Sequence, residues 1–120
     1  MPTSSPNLAA EKECLLQHIE AIRKTGQVAP ALYFVSIAPT VSKGKTYHYA
    51  RLLKEKNGKQ SMVARLGREN SSKHQDWRRR IARREAIVEL EQQLKLLDEL
   101  MQRQQERSHL VDRDFGEPEE

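Results

Sequence analysis

Leu8, Leu15, Ile19 and Ile22 recur at spacings of seven, four and three, which places them on one face of an α-helix. Asn7 precedes this face and can accept a hydrogen bond from a free N–H of the first turn, and Gly26 follows it, so the pattern predicts a helix between those two residues. The period then changes. "ALYFVSIA", between Ala29-Pro30 and Pro39, is a compact apolar run rich in aromatic and β-branched residues, too short for a typical helix, and predicts a buried strand. Two further runs, "KTYHYARLLK" and "QSMVARLG", flank Asn57-Gly58. Asn-Gly between alternating segments predicts a β-hairpin, because both residues tolerate positive φ.

With Asn57 and Gly58 as the loop, Lys56 pairs with Lys59, Leu53 with Met62, Arg51 with Ala64 and Tyr49 with Leu66. One face then carries Tyr47, Tyr49, Leu53, Met62, Ala64 and Leu66, and apart from Arg51 this is the expected core face. Thr46, His48, Lys54, Ser61 and Arg65 fall on the other face with Ala50, Leu52 and Val63, and Gly67 is expected to end the strand.

Ser72 and Gln75 stand in capping-box spacing at the start of a final helix, and no Gly or Pro follows until Gly116. Such a helix, from about residue 73 to about 107, would be roughly 50 Å long, more than a small domain can cover, so part of it must project or pair. Ile87, Leu90, Leu94, Leu97 and Met101 alternate at threes and fours like coiled-coil positions, with Val88, Leu96 and Leu100 widening the stripe. Either a second copy of the chain or the protein's own first helix can cover it. Trp77 shares a stripe with Ile81 and Val88 and is expected to anchor the helix to the sheet.

Length bounds this to one domain, since 120 residues fall in the usual range of roughly 100–150. The organisation expected is a disordered lead (1–6), a helix with a three-stranded antiparallel sheet (7–71), a long helix (72–108) that is basic in its first half and acidic and apolar in its second, and an acidic tail (109–120). The fold class is α+β, with a basic hairpin and a partly coiled-coil-like C-terminal helix. Charged residues form 32% of the chain against about 25% in ordinary domains, so a small core carries much solvated surface. No apolar run approaches the roughly 20 residues of a membrane span, and "MPTSSPNLAAEKE" lacks a basic segment followed by an apolar one; a cytoplasmic protein is expected.

The net charge of +4 hides a division along the chain. Residues 1–42 are neutral, residues 43–84 hold fourteen basic and three acidic groups, and residues 85–120 are acidic overall. A basic middle of this kind suits a polyanion. In "WRRRIARRE", Arg78, Arg79, Arg80, Arg83 and Arg84 occupy the first turns of a helix, where the macrodipole disfavours cations. Local helix stability therefore does not explain them; an external anion or the acidic half of an antiparallel helix would, and the basic hairpin before them favours the anion.

Enzymatic chemistry finds no footing. There is no Gly-rich phosphate loop, and no Ser or Cys nucleophile beside a recognisable His and acid. Cys14 and the scattered histidines lack metal-ligand spacing, so neither a zinc site nor any cofactor is expected. The hairpin instead suits the major groove of duplex DNA, with Thr46, His48, Lys54, Ser61 and Arg65 facing the groove and Lys56 and Lys59 at the tip touching phosphate. Lys43 and Lys45 add to this basic segment. Tyr47 and Tyr49 are expected in the core, and His48 and His74 as polar contacts.

The segment "GKTYHYARLLKEKNGKQSMVARLG" and the charged helix after it, about half the chain, resemble a Tyr-rich basic hairpin plus helix found in small uncharacterised prokaryotic proteins and near the N-termini of some insertion-sequence transposases. Tyrosine-recombinase arm-binding modules are similar in architecture. The resemblance implies a DNA-binding accessory protein, a regulator or a plasmid-partition adaptor, working through its sheet. The function expected is thus non-enzymatic binding of duplex DNA by a homodimer, with Ile87, Leu90, Leu94, Leu97, Leu100 and Met101 as the seam. The rival is an adaptor whose long helix docks a larger protein, with no membrane role in either case.

Overall fold

The computed structural model describes residues 5–111. In chain order these form α1 (Ser5–Thr25), β1 (Tyr33–Ser42), β2 (Lys45–Lys56), β3 (Lys59–Arg68) and α2 (Ser72–Val111). The α+β class, the hairpin and the long C-terminal helix agree with the sequence. Most of the lead expected at 1–6 and residues 112–120 of the expected tail lie outside the described residues, while Ser5 and Pro6 belong to α1 and 109–111 to α2. No helix among the described residues is long and apolar enough to cross a membrane.

Two compact units are present, one of residues 22–87 and one of 5–21 with 88–111. In the first, the sheet is antiparallel in the order β1-β2-β3. Both turns are two-residue loops with positive φ at each position: Lys43 (51°) and Gly44 (77°) join β1 to β2, and Asn57 (53°) and Gly58 (77°) join β2 to β3. Positive φ at both central residues marks the hairpin turn whose twist matches that of the strands. The sequence predicted only the second hairpin. β1 runs on through Pro39, which an edge strand tolerates because one row of its N–H groups has no partner. β1 is also half-buried to exposed, not the buried strand expected.

The predicted register holds from Lys56↔Lys59 to Leu53↔Met62 and then slips. Leu52 pairs with Ala64, Arg51 with Arg65, Ala50 with Gly67 and Tyr49 with Arg68, so β3 carries one extra residue at Val63 and a second at Leu66. The buried cluster is Ala50, Leu52 and Leu66 at 1%, 0% and 2% exposure, with Tyr33, Val35, Ala64 and Trp77 packed on it. Each fully buried leucine contributes roughly 1.5–3 kcal/mol. The core face is therefore the one holding Ala50 and Leu52. Tyr47, Tyr49 and Met62, expected in the core, lie on the opposite face, and Ala64 and Leu66 reach the core because the bulges turn β3 over.

Trp77 anchors α2 to this core as expected, stacked on Tyr33 with ring centroids 6.1 Å apart. The cap of α2 is Ser71, one residue before the position predicted. Its hydroxyl accepts the His74 N–H at 3.3 Å and donates to the Leu66 carbonyl at 2.6 Å, while the Gln75 amide donates to the Asn70 carbonyl. In the second unit Leu15, Ile19, Leu90 and Leu97 are buried, and Lys12 Nζ lies 2.9 Å from an Asp98 carboxylate oxygen.

Candidate nucleic-acid interface

β2 runs the length of the sheet, so its two turns lie at opposite ends. At about 3.3 Å per residue, Lys45 and Lys56 are roughly 35 Å apart along it. Lys43 and Lys45 thus mark one end, and Lys54, Lys56 and Lys59 the other. The predicted cluster of hairpin lysines is two clusters, with the body of the sheet between them.

Between those ends, the face turned away from Trp77 is formed by residues that pair across the strands: Ala38 with Tyr49, Ser36 with Arg51, Thr40 with Tyr47 on one side, and Arg65 with Arg51, Arg68 with Tyr49 on the other. A concavity of about 580 Å³ opens here, lined by strand residues alone and by no carboxylate. Ala38, Ala50 and Gly67 leave its floor low, and Thr40, Tyr49, Arg51, Met62 and Arg65 stand around it. The Arg68 guanidinium lies over the Tyr47 ring at 5.0 Å, and the Tyr47 and Tyr49 rings are 6.4 Å apart. The Arg51 Nε is buried without a hydrogen-bond acceptor among the described residues.

Of the residues expected to face a groove, Arg65 alone reaches this face. Thr46, His48, Lys54 and Ser61 alternate to the side that Trp77 covers, with Thr46, His48 and Ser61 exposed and Lys54 half-buried. Arg51, Arg68, Tyr47 and Tyr49 were not among the expected binding residues. Arg51 itself was the signal that could have found them: a cation in the middle of a supposed core face cannot be left there unpaired, and moving that face to solvent removes the conflict.

The helix arginines have a third explanation that neither an external anion nor a partner helix anticipates. Arg83 donates from Nε to the Thr25 hydroxyl at 3.1 Å and from Nη1 to the Gln27 carbonyl at 2.9 Å, just beyond the C-terminus of α1. Arg84 Nη1 donates to the Pro30 and Tyr33 carbonyls, both at 2.7 Å, and Nη2 pairs with Glu85. Arg80 pairs with Asp76 at 2.8 Å and lies 4.6 Å over the Trp77 ring. Arg83 and Arg84 stitch the segment between α1 and β1 to α2, while the Arg80 side chain stays on its own helix. Arg78 Nη2 contacts the Asn70 side-chain oxygen at 3.4 Å and lies 3.3 Å from the Nε2 of buried His74, whose Nδ1 accepts the Asn70 N–H. Arg79 is exposed with no partner among the described residues.

The expected seam divides as well. Ile87, Leu90 and Leu97 are buried within the single chain, Leu94 and Met101 are half-buried, and Leu100 is exposed together with Leu96. Among the described residues no group of His, Cys, Asp or Glu could hold a metal ion. No protein-family model, no curated protein and no solved structure matches the chain.

Proposed function

We propose that the protein is a non-enzymatic DNA-binding protein, a regulator or mobile-element accessory, that lays the open face of its sheet along duplex DNA. The observation that carries this reading is the spacing of cations. Lysine-bearing turns stand at the two ends of β2, roughly 35 Å apart, which is about one turn of B-DNA, and arginines fill the face between them. Lys43, Lys45, Lys56 and Lys59 touch phosphates and supply affinity, and Arg65 and Arg68 lie nearest the groove. Arg79 adds a cation, while Arg80, Arg83 and Arg84 are withdrawn into the fold. Such a partner puts the work of the protein in the cytoplasm. A homodimer would join two such faces through Leu96 and Leu100, the stripe residues left exposed.

Fluorescence anisotropy with duplex DNA at several salt concentrations tests this. Submicromolar binding at low salt is expected, and Lys43→Ala with Lys45→Ala, or Lys56→Ala with Lys59→Ala, should each lower the log–log salt slope by about 2. Absence of binding at low salt would overturn the proposal and leave the exposed Leu96 and Leu100 as a docking site for a larger protein.

A further inference from the structure

The concavity on the open face has features that phosphate contact along a duplex does not require. Arg51 and Arg65 are direct cross-strand partners, so two like charges oppose each other where such a pair is unfavourable. The Arg51 Nε–H is in addition buried with no acceptor among the described residues. An unmet donor and an uncompensated cation pair both weaken the fold; an oxyanion between the two guanidiniums would relieve the cation pair, and a turn of the Arg51 head toward it would bring the Nε–H an acceptor. The remaining lining is of a different kind. Tyr49 and Met62 present apolar surface, and Ala38, Ala50 and Gly67 leave a low floor on which a flat group can lie. A volume of about 580 Å³ lies within the roughly 300–1,000 Å³ of small-molecule sites.

We infer that this concavity is a nucleotide site, with one phosphate held between Arg51 and Arg65 and the base lying against Tyr49 and Met62. Guanidinium pairs bind phosphate oxygens bidentately, and aromatic faces accept a base irrespective of its identity. The nucleotide is either free or part of a single strand. The site does not rest on the duplex reading: the two share Arg65, but the turn lysines of the duplex reading lie outside the concavity.

NMR titration of the full chain, observing the Met62 methyl and the Arg51 Nε–H, tests the site with adenosine monophosphate, adenosine, inorganic phosphate, a short oligothymidylate and its duplex. The monophosphate should shift both signals and bind at least tenfold more tightly than adenosine. Arg51→Met and Arg65→Met should each weaken it at least tenfold, with Arg51→Met leaving the melting temperature unchanged or raised. The oligothymidylate binding tenfold above the monophosphate would identify a single strand as the source, and equal affinities a free nucleotide. Inorganic phosphate binding as tightly as the monophosphate would remove the base from the site and overturn the assignment. So would shifts confined to residues outside the concavity, or an Arg51→Met variant that binds the monophosphate normally. Lys56→Ala with Lys59→Ala, which weakens the duplex, should leave monophosphate binding intact; failure of one reading is thus separable from failure of the other.

Discussion

A methyl group built on Gly26 would sit 2.5 Å from the central carbon of the Arg83 guanidinium. Gly26 follows α1, where a glycine of positive φ would be the usual helix stop, but its φ is not positive, and what it supplies is room. The Arg83 head occupies that space while it binds the Thr25 hydroxyl and the Gln27 carbonyl. Gly26→Ala should displace it and lower stability by about 1–3 kcal/mol, as the two bonds are lost. Arg83→Ala in the Gly26→Ala background should then add little, because both changes remove one contact, and a double-mutant cycle by urea denaturation measures that coupling.

Ser71 and Ser72 are adjacent and chemically identical, yet only Ser71 accepts a helix N–H, and it also donates to the Leu66 carbonyl. Ser71→Ala should lower stability by about 1–2 kcal/mol, and Ser72→Ala by a few tenths at most. Thermal unfolding followed by circular dichroism distinguishes them, and equal effects would return the cap to Ser72.

Leu32 has φ 74° and a side chain 55% exposed, so it holds a left-handed conformation that its packing does little to justify. Its carbonyl accepts the Glu55 N–H at 3.1 Å, a bond that any residue can keep. Leu32→Gly should therefore raise stability by about 0.5–1 kcal/mol, the relief of the steric penalty exceeding the entropy of the new glycine. A lowered urea midpoint would show that the leucine side chain contributes more than its exposure suggests.

The apolar stripe of α2 yields opposite outcomes at positions three residues apart. Leu97→Ala removes a buried side chain and should destabilise the protein by about 2–5 kcal/mol, whereas Leu100→Lys should leave the unfolding midpoint within about 0.5 kcal/mol of the parent. Sedimentation of Leu96→Lys with Leu100→Lys reports on self-association separately: a dimer of the parent that dissociates in this variant identifies the exposed leucines as its seam.

Much of the fold was legible from period and punctuation. Asn57-Gly58 marked one hairpin, the spacing of Leu8 to Ile22 marked α1, and Trp77 was readable as the anchor of α2. The candidate site was not legible, because counting outward from a turn assumes one residue opposite one, and β3 breaks that rule at Val63 and at Leu66. Each extra residue exchanges the faces of the β3 residues beyond it, which took Ala64 and Leu66 away from the side of the tyrosines and brought Arg65 to it. Gly67, taken as the end of the strand, lies inside β3 with φ 83°, and an isolated glycine within an alternating run is the sequence trace that a bulge leaves. The roles of the α2 arginines were not legible for a different reason. Their partners Gln27, Pro30 and Tyr33 are backbone carbonyls more than fifty residues away, which carry no mark in the sequence.

A sheet of three strands has two margins and only one interior strand, so most of its peptide groups stand next to a boundary where a neighbouring molecule could add a strand of its own. β1 meets that hazard with Pro39, which offers no N–H, and β3 with two local coils of backbone that break the even row of donors and acceptors. The same irregularities that bring Arg65 to the side of the tyrosines thus leave the outer margin of β3 a poor template for a strand of another copy. A broad aromatic and cationic surface can then stay displayed at high concentration without seeding fibres.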